Sequence, residues 1–141
     1  MDSLDRIIRI FHSERHTIFR QGVRNIVRDQ PIEIIGDADN INDTLNGLSI
    51  VKPTLLLIAH RLYDGEATDF LPLVKQKFPE IKILMLTMLA EKPYMLICLK
   101  YIDGMISKAA SKEEVVKAIN IVANGGFYYS STSSSKLFEN V

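Results

Sequence analysis

The stretch PTLLLIAHRLYDG, residues 53 to 65, runs from an apolar segment of strand length into a polar loop. Parallel strands often present a carboxylate to a ligand at that place, but here stand Ala59 and His60, with Asp64 and Glu66 further into the loop. A second polar group, His12, Glu14, Arg15 and His16, follows the first apolar segment. Two histidines astride a glutamate suggest a metal, yet the reading puts His12 at a strand end and His16 inside a helix, so convergence of the rings is not implied. Thr87 ends a further apolar run and Lys108 precedes a capped helix. Taken alone they are a common strand-end residue and a solvated cation.

The elements that must position these residues alternate between apolar runs of strand length and stretches of helical period, the pattern of a parallel sheet covered by helices on both faces. The strands are read at 6–11, 32–38, 54–59, 82–87 and 103–107. The first helix, 15–29, carries Ile18, Phe19, Gly22, Val23, Ile26 and Val27 at one-face spacing, and Gln30-Pro31 ends it. A shorter helix is read at 42–50. In the third, 68–77, Pro72 is tolerable only in the first turn, with Thr68 or Asp69 as the cap. The last opens at Ser111, three residues before Glu114, and stops at Gly125. Beyond Phe127 the composition turns to YYSSTSSSKLFENV, so residues 1–128 read as one domain and 129–141 as a Ser-rich tail or the start of a linker.

Composition narrows the function classes. The 17 basic and 17 acidic side chains of this 141-residue chain cancel, so no global field favours nucleic acid or an anionic membrane. One cysteine, Cys98, excludes an internal disulfide, suits a reducing cytoplasmic setting and reads as a small apolar packing residue. The N-terminus MDSLDRIIRIF is neither a signal peptide nor a span. No Gly-rich phosphate loop follows the first strand, and no nucleophile elbow is present, so neither a nucleotide-dependent nor a hydrolytic enzyme is indicated.

Four motifs in order, HTIFRQGV after the first strand, LMLTM at the end of the fourth, DGMISKAASKEEVVKAI from the fifth strand into the last helix, and GGFY after it, resemble the receiver domain of bacterial response regulators. The match spans residues 7 to 128 and is nearest the LuxR/FixJ-type subfamily. The resemblance implies a flavodoxin-like (CheY-like) sheet of five strands in the order 2-1-3-4-5, with its site at the carboxyl ends of the first and third strands. It also implies that Ala59 stands where the family carries its phosphoacceptor aspartate. Glu14 and Arg15 replace its two metal-holding acids, Thr87 and Lys108 match its hydroxyl and lysine, Met105 replaces its switch aromatic, and Tyr63 replaces a loop proline. A methyl group is no nucleophile, and one carboxylate beside a guanidinium is a poor site for a hard dication.

The reading that results is an atypical receiver, a pseudo-receiver without cofactor, metal or enzymatic activity, which regulates transcription through protein contacts. The alternative is a working phosphoacceptor that uses a residue near the site such as His60, Asp64 or Glu66. Arg15 is expected to fill the vacated pocket and pair with Glu14, Asp64 or Glu66. The stretch KPYMLICLKYI, 92–102, is apolar on too many sides for one amphipathic helix. Tyr94, Ile97 and Tyr101 are therefore candidates for a homodimer or for a regulatory protein partner. Arg20, Arg24 and Arg28 form a stripe that reads as a solvated face. Direct DNA binding is not expected from this chain, which reads either as a stand-alone domain or as a piece followed by a LuxR-type DNA-binding domain.

Overall fold

The computed structural model describes residues 6–88 and 97–130. Five parallel strands form the body of the sheet: β1 (Ile8–Ser13), β2 (Ile32–Ala38), β3 (Leu55–Ile58), β6 (Lys82–Thr87) and β7 (Gly104–Ser107). Helices α1 (Thr17–Val27), α2 (Ile41–Val51), α3 (Ala67–Lys77) and α4 (Lys112–Ala123) connect or follow them. The spatial order β2-β1-β3-β6-β7 is the expected 2-1-3-4-5, and the sheet then gains a sixth strand, β8 (Tyr128–Tyr129). A two-stranded antiparallel hairpin, β4 (Arg61–Leu62) and β5 (Gly65–Glu66), fills the loop between β3 and α3.

The apolar runs read as continuous because both faces of the sheet are covered. All four residues of β3 are fully buried, and successive side chains point to opposite faces. Leu56 and Ile58 join Phe11, Leu48, Phe70, Leu71, Ile83 and Met85 on one side. Leu55 and Leu57 join Ile10, Val23, Val27, Leu84, Ile106 and Ile119 on the other. Each such side chain contributes roughly 1.5–3 kcal/mol on leaving water, so the two cores hold the strand ends in register. Phe11 packs so closely on α2 that a Cβ at Gly47 would collide with its ring.

Several expectations need correction. In α1 the buried stripe is carried by Val23 and Val27 with Phe19 and Ile26 half-buried, whereas Ile18 is 75% exposed and Gly22 faces open space. In α3 the cap is Glu66, in a capping box with Asp69, so Pro72 sits past the first turn. Its ring leaves the Thr68 carbonyl without its usual amide donor, a cost offset by burial of Phe70, Leu71 and Val74. At α4 Ser111 Oγ accepts from the Glu114 amide at 3.1 Å as anticipated. The Glu114 carboxylate instead accepts from the Tyr128 hydroxyl at 2.7 Å, which ties α4 to β8.

β8 reaches from the last residue of the expected domain into the stretch read as a Ser-rich tail or linker. It pairs with β7 in parallel, Gly104 with Tyr128 and Met105 with Tyr129, and the Ser130 amide donates to Met105 O at 3.0 Å. Gly104 is required there, because a Cβ would stand 2.6 Å from Tyr128 O. Of the stretch 92–102, residues through Leu96, including Tyr94, lie outside the described residues. Cys98 and Ile102 are buried, Leu99 and Tyr101 pack half-buried against the core, and Ile97 is 49% exposed. Tyr101 is thus largely a core-side residue and Ile97 the outward one. No helix among the described residues is long and apolar enough to cross a membrane.

Candidate functional site

The carboxyl ends of β1, β3, β6 and β7 bring Glu14, Ala59, Thr87 and Lys108 to one end of the sheet. The Ala59 amide donates to Ser13 O at 3.0 Å and the Lys108 amide to Thr87 O at 2.8 Å, so the ends are in register. Ala59 is buried and its methyl closes the end of β3. No carboxylate is available at that position.

The surviving acid is engaged inside the protein. Glu14 is 1% exposed. Its Oε1 lies 2.6 Å from the ammonium of Lys108, which is itself 6% exposed. Oε2 accepts from the His16 amide at 2.8 Å and from the His16 ring Nδ1 at 2.9 Å. Burial pushes the carboxyl up, but Lys108 and the two His16 donors outweigh it and hold Glu14 below the usual carboxylate range. The Lys108 ammonium also stands 4.1 Å over the Phe19 ring, a cation–π contact that makes its burial less costly. Lys108 thus reaches from the end of β7 to Glu14 at the end of β1.

Arg15 is half-buried and makes no ion pair among the described residues. The expected pairing of its guanidinium with Glu14, Asp64 or Glu66 is therefore replaced by other partners. Asp64 accepts from the amides of Ile41 at 2.6 Å and Asn42 at 3.3 Å, at the N-terminus of α2, where a carboxylate is favoured. Glu66 bonds Arg61 at 2.7 Å across the hairpin. Thr87 Oγ1 lies 3.3 Å from His60 Nδ1, so the strand-end hydroxyl faces an imidazole. Met105 is fully buried between Met85 and Tyr129 in register, within the core.

His12, beside the pair on β1, is 1% exposed; burial lowers its pKa from 6.5 to about 4 against the opposing charges of Glu14 and Asp37, with Arg20 and Lys108 adding to the depression. Arg20 donates to Glu14 O and, with Arg24, reaches Asp37, at 4.0 and 3.0 Å respectively. Two members of the arginine stripe thus have an internal partner in β2, and only Arg28 keeps the solvated character expected of all three. Among the described residues no group of three or more His, Cys, Asp or Glu could hold a metal ion. The arrangement can neutralise and fix Glu14; it offers no free carboxylate pair for a dication. Sequence reasoning placed Glu14, Ala59, Thr87 and Lys108 together but missed that His16 and Phe19 complete the cage. The short loop from Glu14 to His16 was the only available sign.

Comparison with known proteins gives this end of the sheet a context. No family model matches the chain. It is 24% identical over 123 residues to the transcriptional regulatory protein DegU of Brevibacillus brevis, covering 86% of this chain and 52% of DegU. The chain thus spans about half the length of that relative. The isolated REC domain of RcsB from Salmonella enterica serovar Typhimurium, solved with phosphomimetic BeF3−, superposes with a TM-score of 0.86 at 19% identity, over 95% of this chain and all of that one. A structure of two RcsB dimers bound to two parallel DNAs gives a TM-score of 0.87 at 18% identity, over 94% of this chain and 68% of that one. In sequence the chain is similar to response regulators, and its fold is that of their receiver domains.

Proposed function

We propose that this chain is an atypical receiver module of a two-component response regulator, one that controls an output by protein contacts and takes up no phosphate on its third strand. The observation that carries the reading is the pairing of Glu14 with Lys108 next to Ala59. An aspartyl phosphotransfer site needs a carboxylate nucleophile, a dication held by acids, and a cation free to meet the phosphoryl oxygens. Here the nucleophile is a methyl group, the remaining acid is neutralised, and the lysine is the group that neutralises it. Magnesium would have to displace a buried ammonium 2.6 Å away to reach Glu14. Burial of Met105, in place of an aromatic, supports an output that does not depend on a side-chain toggle at β7.

The alternative, phosphorylation at His60, Asp64 or Glu66, has little support, since Asp64 caps α2, Glu66 pairs with Arg61 and His60 meets Thr87. The module would work in the cytoplasm, without enzymatic activity, ahead of a LuxR-type DNA-binding domain, and self-associate through the face that includes Ile97 and the edge of Tyr101. Tyr94, outside the described residues, is proposed for the same contact from the sequence alone. A magnesium titration followed by amide NMR tests the core of this reading: the amides of residues 13–16 and 59–61 stay unmoved at millimolar metal. Saturable shifts confined to those residues would contradict it.

A further inference from the structure

At the opposite end of the sheet, where the strands begin, a groove of about 580 Å³ is lined by Arg6, Arg9, Lys52, Thr54, Asn124 and the apolar atoms of Ile7, Ile8 and Ala123. Three of these side chains are cations and none is an acid. Arg6, Arg9 and Lys52 are exposed and make no ion pair among the described residues. Glu33, which stands directly opposite Arg9 in the β1–β2 register, does not pair with it. Like charges gathered with no ion-paired acid among the described residues repel one another, and a bound anion relieves that repulsion.

Lys52 adds a second, independent sign. It ends α2 in the left-handed conformation, φ 49° and ψ 67°, and is the only described non-glycine residue with positive φ. Glycine fits that position without strain, so a lysine there goes against the backbone's preference. Its charge also suits the carboxyl end of α2, but Arg6 and Arg9 lie on no helix and that argument does not reach them. The apolar atoms of Ile7, which is 51% exposed, and of Ala123 supply a floor for a non-polar body beside the cations. The volume falls in the range of small-ligand sites, roughly 300–1,000 Å³.

We infer that this groove binds a phosphate-bearing ligand, with Arg6, Arg9 and Lys52 holding the phosphate oxygens and Thr54 contributing its hydroxyl. Arginine meets such oxygens through its planar fork and lysine as a point charge. The phosphate can come from a soluble ester or from a lipid headgroup. Inorganic pyrophosphate, titrated at physiological salt and followed by amide NMR, separates the two from non-specific attraction. The expected result is a saturable shift of the amides of residues 6–9, 52, 54 and 124, with sulfate at matched ionic strength giving a weaker one. Lys52→Gly relieves the left-handed backbone, so it should melt no lower than the wild type while weakening pyrophosphate at least tenfold; Arg9→Glu should abolish binding. Arg15→Glu, at the other end, should leave it unchanged. Binding to vesicles containing phosphatidylinositol 4-phosphate without saturable pyrophosphate binding assigns the ligand to a lipid surface. Absence of both, or pyrophosphate binding unaffected by Lys52→Gly and Arg9→Glu, overturns the inference.

Discussion

Removing the carboxylate from Glu14 while keeping its shape, as Glu14→Gln, leaves the Lys108 ammonium buried without a counter-ion. At 2.6 Å the gross attraction in an effective dielectric of about 20 is roughly 6 kcal/mol. Desolvation of both groups offsets much of it, and breaking one side of such a buried pair costs about 3–5 kcal/mol. The Phe19 ring retains part of the cation's stabilisation, of order 1–2 kcal/mol, which places the expected loss nearer 3 than 5. Lys108→Met should cost less, because both His16 donors still serve Oε2. The double substitution should lie close to the wild type, since replacing a buried pair by apolar or neutral groups is often neutral. Urea unfolding of the four proteins gives the coupling from midpoints at constant slope. A Glu14→Gln loss under about 1 kcal/mol, or additive single effects, would refute the claim that Lys108 is held by Glu14.

Other consequences are open to measurement. His12 takes up a proton near 6.5 when unfolded but only at about 4 when folded, so stability should fall by up to about 3 kcal/mol as pH drops between those values. His12→Leu should flatten that slope. Glu14 is depressed instead, so its contribution is present above the unfolded value of 4.5 and fades as pH falls through the lower folded one; Glu14→Gln should remove that second, more acid phase. Asp64→Ala deprives two α2 amides of their acceptor and should cost about 1 kcal/mol in urea unfolding. Ala59→Asp alone should gain no magnesium affinity by calorimetry, whereas Ala59→Asp with Arg15→Asp should regain it. Ile97→Glu should shift any dimer seen in sedimentation toward monomer, and Arg24→Glu, whose partner is Asp37, should not.

The strand framework was legible because its signal is local. β2 and β6 fall on the anticipated residues, 32–38 and 82–87, and β3 within one residue at each end, since a strand buried on both faces is an uninterrupted apolar run. What periodicity cannot carry is tertiary choice. Ile18 and Gly22 satisfy the helical repeat of α1 yet face solvent, because the stripe that meets the sheet is narrower than the apolar set. The hairpin β4–β5 and β8 have strands of two residues each, too short to show a repeat, and β8 exists only because Gly104 admits its backbone. At the candidate site the residue types were readable and their partners were not. Lys108 could meet any acid at the strand ends, and only the packed sheet decides that it meets Glu14.

The central claim, that this strand-end site takes up no phosphate, is tested most directly by intact-mass spectrometry of the chain after incubation with acetyl phosphate and magnesium, read under both neutral and mildly acidic conditions so that acyl and imidazole phosphates each survive in one. The account predicts a single species at the unmodified mass. A stoichiometric phosphorylated species, mapped to any residue at the carboxyl ends of the strands, would contradict it.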